Sequence, residues 1–124
     1  MGYYTNYSLY VDDSVDDEDL LDKIDKEIGR MNIFDGGMQD GYYAYQKWYD
    51  YQDDMCALSY RFPGVLFTLA GSGEEDEDLW VCYFRDGKYQ YEHAKIIYDD
   101  FDSNKLRLPE NQNIFSHNRS YSYE

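Results

Sequence analysis

Apolar positions alternate with period two at the start of the chain. Tyr7, Leu9 and Val11 are separated by Ser8 and Tyr10 within the aromatic and β-branched run from Tyr3 to Val11, which predicts a strand. The period then changes. Leu20, Leu21, Ile24, Ile28 and Met31 recur at helical spacing with Asp22, Lys23, Asp25, Lys26 and Glu27 on the opposite face, so an amphipathic helix follows. Ser14 with Asp17 three residues later has the form of a capping box, and the acids from Asp16 to Asp19 sit where the positive end of the helix dipole favours anions. Asn32 to Gly41, with Gly36, Gly37 and Gly41 beside Asp35 and Asp40, is turn chemistry and predicts a loop.

Tyr42 to Trp48 reads as a second strand. Asp50 can cap a second helix in which Tyr51, Met55, Leu58 and Phe62 form one stripe, and Pro63-Gly64 stops it. The apolar run Val65 to Leu69 has strand length, and a loop of Gly71-Ser72-Gly73 plus Glu74 to Asp78 joins it to Leu79 to Arg85 as a hairpin with an acidic tip. Asp86-Gly87 is a two-residue hairpin signal leading into Lys88 to His93, with a further short segment expected around Ile96 to Tyr98. From Pro109 onward Asn, Gln and Ser dominate.

This order implies an α+β fold with a mostly antiparallel sheet and two helices on one face. A ferredoxin-like core with an extra C-terminal hairpin fits it, as one domain over residues 1–108 followed by a polar flexible tail over 109–124. The alternative is a mixed sheet in which Tyr42 to Trp48 is loop.

Composition narrows the function. Lys and Arg total 11 against 26 Asp and Glu in 124 residues, a formal net charge of −15, so direct binding to nucleic acid or to an anionic membrane is excluded as an expectation. Such a charge often accompanies disorder, but 16 Tyr, 6 Phe and 2 Trp supply enough burial for the middle of the chain to fold. No apolar run reaches membrane-spanning length, the N-terminus lacks the basic-then-apolar pattern of a leader, and Asn6 stands where a myristoylation signal wants Ser or Thr. A cytoplasmic protein, in a bacterial host, is expected. Cys56 and Cys82 read as reduced, packed thiols.

The acids are clustered. Asp12, Asp13, Asp16, Asp17, Glu18 and Asp19 form one group, and Glu74, Glu75, Asp76, Glu77 and Asp78 another, with Asp-Glu-Asp-Leu repeated in both. Two solvated surfaces are the plain reading. The functional reading is imitation of nucleic acid, because a compact fold that clusters carboxylates on rigid elements can reproduce the phosphate density of a duplex. A calcium loop does not fit, since the twelfth position counted from Asp12 is Lys23 and the sixth from Asp13 is Glu18; only weak divalent binding at Glu74 to Asp78 remains.

Tyr42, Tyr43, Tyr45, Tyr49, Tyr51 and Tyr60, with Trp48, make a dense aromatic segment. Some must pack in the core, and exposed members such as Tyr43 and Tyr45 could bind protein. A base-stacking platform is opposed by the charge. His93 and His117 are the only histidines and neither has a recognisable nucleophile or metal-ligand spacing, so we expect a non-enzymatic protein with no cofactor and no metal. Gly71-Ser72-Gly73 continues into five acids and is no phosphate cradle.

The stretch Lys47-Trp48-Tyr49-Asp50, Asp53, Met55, Leu58-Ser59, Phe62-Pro63, Val65-Leu66-Phe67, Gly71 to Glu75, Leu79-Trp80, Tyr83-Phe84 and Gly87-Lys88, after an opening Gly2 to Thr5, resembles small bacteriophage-encoded proteins of unassigned function. The helix ending in Phe62-Pro63 before an apolar strand also resembles ferredoxin-like domains of plasmid and phage proteins. More loosely, size and charge are similar to those of phage inhibitors of restriction and CRISPR systems. That resemblance implies an anti-CRISPR or anti-restriction protein acting as a DNA mimic, whose partner is a defence nuclease or ribonucleoprotein with a basic groove. A protein-interaction module using the Tyr-rich surface on a host or virion protein is the alternative, and a homodimer is an assembly either allows.

Overall fold

A computed structural model describes residues 2–37 and 40–116. The elements run β1 (Thr5–Val11), α1 (Glu18–Met31), β2 (Asp35–Gly37), β3 (Gly41–Gln46), α2 (Tyr51–Arg61), β4 (Phe67–Ser72), β5 (Leu79–Arg85) and β6 (Lys88–His93), followed by two single 3-10 turns at Ser103–Lys105 and Gln112–Phe115. All six strands form one sheet in the order β2-β3-β1-β4-β5-β6, every neighbouring pair antiparallel. The α+β class and the two helices expected from the patterning are present.

Strand alternation places the core. Tyr7 and Leu9 on β1, Tyr42 and Ala44 on β3, Phe67 and Leu69 on β4, and Trp80, Cys82 and Phe84 on β5 are buried and share one face through the registers Leu9↔Tyr42, Leu9↔Leu69, Leu69↔Cys82 and Phe67↔Phe84. Ile24 and Ile28 of α1 and Met55 and Leu58 of α2 complete the same cluster. Each fully buried Leu, Ile or Phe side chain contributes on the order of 1.5–3 kcal/mol by leaving water. The helices are tied to each other by a Glu27 carboxylate that pairs with Arg30 at 3.2 Å and with Arg61 of α2.

Several local expectations are corrected. Asn32 to Gly41 is not all loop: Asp35–Gly37 pairs with β3 through Gly36↔Tyr42 and Gly37↔Gly41. Glycine hid this strand because β propensity is low there, yet at Gly36, with φ of 97°, a Cβ would lie 2.5 Å from the Gly41 carbonyl oxygen, so the pairing needs glycine. Gly71 and Ser72 are not turn residues but the end of β4, held by β1 on one side and β5 on the other. The N-cap of α1 is Asp17, whose carboxylate accepts from the Asp19 and Leu20 amides, and not Ser14, whose own amide donates to Asp12. Asp50 holds the N-cap position of α2 without a side-chain capping bond. Ile96 to Tyr98 forms no strand and is exposed. Asp86-Gly87, with φ of 55° and 79°, closes the β5–β6 turn with Arg85 opposite Lys88, as its sequence predicted.

Gly71 faces the core directly under Trp80, its cross-strand partner, and a Cβ there would lie 2.1 Å from the indole Cε2. Gly29, exposed on α1, has open space where a Cβ would stand. We therefore predict that Gly71→Ala lowers stability by about 1–3 kcal/mol through overpacking, whereas Gly29→Ala raises it by about 0.5–1 kcal/mol. Urea unfolding of the two variants checks both signs, and equal effects would contradict this account of Gly71.

Candidate functional site

The two acidic clusters lie at opposite ends of the sheet. Asp12 follows the end of β1 and the acids from Asp16 to Asp19 span the start of α1, whereas Glu74 to Asp78 form the β4–β5 connection, next to the beginning of β1 through Asn6↔Ser72. At ~3.4 Å per residue, the seven-residue β1 between them is roughly 20 Å long. The structure does not bring them together as one patch.

The β4–β5 tip is built by the N-terminal segment. Tyr3 Oη donates to Asp78 Oδ2 at 2.7 Å and accepts from the Glu75 amide at 3.1 Å, while the Tyr4 amide donates to Glu74 Oε2 at 2.6 Å. Gly73 and Asp78 close the loop by a backbone bond of 2.8 Å, and a Cβ on Gly73 would collide with the Asp78 carboxylate and the Tyr3 hydroxyl. The Glu75 amide bond favours the Tyr3 phenolate, but the Asp78 carboxylate and partial burial outweigh it and raise the Tyr3 pKa. Glu74 and Asp78 thus hold the loop, and Glu75, Asp76 and Glu77 stay exposed with no cation at ion-pair distance among the described residues. His93 approaches from β6, its Nε2 3.9 Å from Asp78 Oδ1. His117 lies outside the described residues, as do residues 117–124 of the expected tail.

At the other end, Asp17 is consumed as a cap and Asp12 accepts from the Ser14 amide at 3.1 Å. Asp13, Asp16, Glu18 and Asp19 are exposed. This cluster therefore combines a structural use with a solvated surface. Among the described residues, no group of three or more His, Cys, Asp or Glu is placed to hold a metal ion, and no helix is long and apolar enough to cross a membrane.

Period two splits the tyrosine-rich segment. Tyr42 and Trp48 are buried and Tyr51 is half-buried, while Tyr43 and Tyr45, at 45% and 59% exposure, stand on the face of the sheet opposite the helices. Register brings further residues beside them. Tyr10, Thr68 and Tyr83 make one row across β1, β4 and β5; Tyr43, Ser8, Ala70 and Val81 make the next; and Tyr45, Asn6, Ser72 and Leu79 a third. Tyr43 Oη donates to the Asp40 carbonyl at 2.5 Å, and the Tyr45 ring stacks at 4.9 Å on Tyr4, over whose ring Lys47 lies. Not one outward position of these four strands is a carboxylate; acids reach this face only at its margins, as Asp35 on β2 and Glu92 on β6. The contribution of Tyr10 and Tyr83 was missed from sequence, where the outward phase of β1 and β5 was the available signal.

No family model, curated protein or solved structure matches this chain. The site is therefore read from its own chemistry.

Cys56 is half-buried and Cys82 buried, both free thiols. Burial, then the neighbouring Cys56, pushes the Cys82 thiol up to about 11, and burial, then Cys82, pushes the Tyr51 phenol up to about 12. The Tyr42 phenol is also raised, by burial and then by its 2.5 Å bond to Asp25. A raised pKa means the folded state keeps a proton that the unfolded chain releases, so this stability is intact below the ordinary values of 9.0 and 10.0 and is lost as pH rises toward 11 and 12. Urea midpoints measured from pH 8 to 12 should fall steadily above pH 9, and Cys82→Ala should flatten the portion between 9 and 11. For the tip, Tyr3→Phe should speed amide exchange at Glu75 while costing the global fold about 1 kcal/mol or less; unchanged exchange at Glu75 would show that Tyr3 does not order the loop.

Proposed function

We propose that this chain is a non-enzymatic, phage-type inhibitor that offers the Glu74 to Asp78 tip to the basic nucleic-acid groove of a host defence nuclease or ribonucleoprotein, in the bacterial cytoplasm. The observation that carries the reading is the anchoring of the tip: Tyr3 and Tyr4 fix two of its carboxylates and leave Glu75, Asp76 and Glu77 exposed beside each other. Anchored anions lose little freedom when partner Arg side chains chelate them, which favours charge-assisted contacts and fast, steered association. The Asp12 to Asp19 cluster would reach a second stretch of the same groove. The length of β1, roughly 20 Å, corresponds to about twelve charges of a duplex at ~1.7 Å per charge.

On this reading the sheet topology suits a ferredoxin-like frame. What supports it is the order β2-β3-β1-β4 with α1 after β1 and α2 after β3, and the reading takes β5 and β6 as an added hairpin. A second reading, protein binding through the open tyrosine face, is favoured by the absence of carboxylates from the outward positions of β1, β3, β4 and β5.

The two readings differ in salt dependence. Capture from a bacterial lysate at low and high salt should recover a nucleic-acid-handling protein that is lost at high salt, competed by DNA, and absent when the bait carries E75K, D76K and E77K together. A partner that survives high salt and the triple variant would move the function to the tyrosine face.

A further inference from the structure

Among the described residues, two surfaces are left uncovered. One is the open face of the sheet, with Tyr10, Tyr43 and Tyr45 exposed on it and a shallow depression of about 420 Å³ where Ser8, Ala70, Ser72, Leu79 and Val81 meet. The other is the segment after β6. The Ala94 amide still donates to the Leu79 carbonyl at 2.8 Å, and from there to Ser116 every residue is exposed. Ile97, Tyr98 and Phe101 are 82%, 86% and 78% exposed, and Leu106, Leu108 and Phe115 are also largely in solvent. A soluble domain rarely leaves so many large apolar side chains uncovered along one ribbon.

Charge says what these surfaces can meet. Two copies at −15 repel wherever their acidic ends approach, so association between copies must use the parts where acid is thinnest. The open face is one such part. The arm is the other, because Lys95, Lys105 and Arg107 nearly balance Asp99, Asp100, Asp102 and Glu110. The arm stands clear of its own sheet, and at ~3.3 Å per residue it reaches roughly 70 Å, more than the ~24 Å across six strands.

We propose that residues 94–116 of one copy dock across the open tyrosine face of a second copy, giving an arm-exchanged dimer. Apolar side chains of the arm fill the depression beside Ala70 and pack on the exposed rings, and the backbone at the margin is free to add to a sheet edge. The interface is formed by near-neutral surfaces on two acidic bodies, so screening strengthens it. Its salt dependence is opposite in sign to that proposed for the acidic tip, and it does not rest on that reading.

The test is sedimentation velocity on the full chain across protein concentration, at low and high salt. Wild type should be a dimer whose dissociation constant falls several-fold as salt rises. The arm variant I97S/F101S/L106S and the face variant Y10S/Y43S should each be monomeric and retain the wild-type far-UV spectrum, since the altered positions are exposed and lie outside the helix-covered core. Mixing the two variants should restore association, because an intact arm from one copy meets an intact face from the other. A monomeric wild type, a dimer that persists in the arm variant, or a mixture of folded variants that stays monomeric would each overturn the proposal. The triple variant E75K/D76K/E77K should remain able to dimerise, which separates failure of this interface from failure of the tip.

Discussion

Trp80 lying flat against Gly71 is the contact on which the rest of the structure depends. The absence of a side chain at Gly71 lets the indole descend onto the sheet, where it stacks on Tyr51 of α2 at 4.9 Å, meets Tyr7 of β1 edge-on at 6.0 Å and approaches Tyr91 of β6 at 5.7 Å. One ring thus joins three strands and a helix. Tyr7 extends the cluster to Trp48, which donates from Nε1 to Asp54 at 2.7 Å and so anchors the first turn of α2. The Tyr7 hydroxyl donates to the Trp48 carbonyl and the Trp48 indole to Asp54 while their faces are buried, which is how an acidic chain with few aliphatic residues still obtains a packed interior.

This arrangement explains which features could be read from the residues alone. Period-two alternation in β1 and β5, the helical stripe of α1 and the Asp86-Gly87 turn are local signals, and each appears in the structure as its pattern implies. The fold class followed from them. What could not be read depends on contacts between distant residues. β2 is three residues long, two of them glycine, and exists because β3 offers it a ladder. Gly71 has the composition of a turn, and only the indole above it shows why a glycine ends β4 there. The candidate site divides in the same way. Each acidic cluster is plain in sequence, but their separation to opposite ends follows from the β1–β4 register, and so does the meeting of Tyr10, Tyr43 and Tyr83 on one face.

The placement of charge follows from the sheet as well. Like charges facing each other on adjacent strands are destabilising, and carboxylates gain most at loops and helix starts, where amides and the helix dipole receive them. Asp17 at the start of α1 and Glu74 and Asp78 under the N-terminal segment show that use. A folding constraint of this kind is enough to keep acids off the open face.

It is not enough to explain what stands there instead. Thr, Ser or Gln at the outward positions would satisfy both the strand backbone and the solvent, as Ser8, Thr68 and Gln90 do. Tyr10, Tyr43 and Tyr45 instead leave large rings partly in water, and the arm adds Ile97, Phe101 and Leu106 to water within the same chain. Exposed area of this size is a standing cost to solubility, which the net charge of −15 offsets in the free molecule. Under the proposed arm exchange the acidic excess would have a role that needs no partner for the carboxylates themselves: it would hold apart, at low ionic strength, molecules whose neutral faces meet when salt screens the charge.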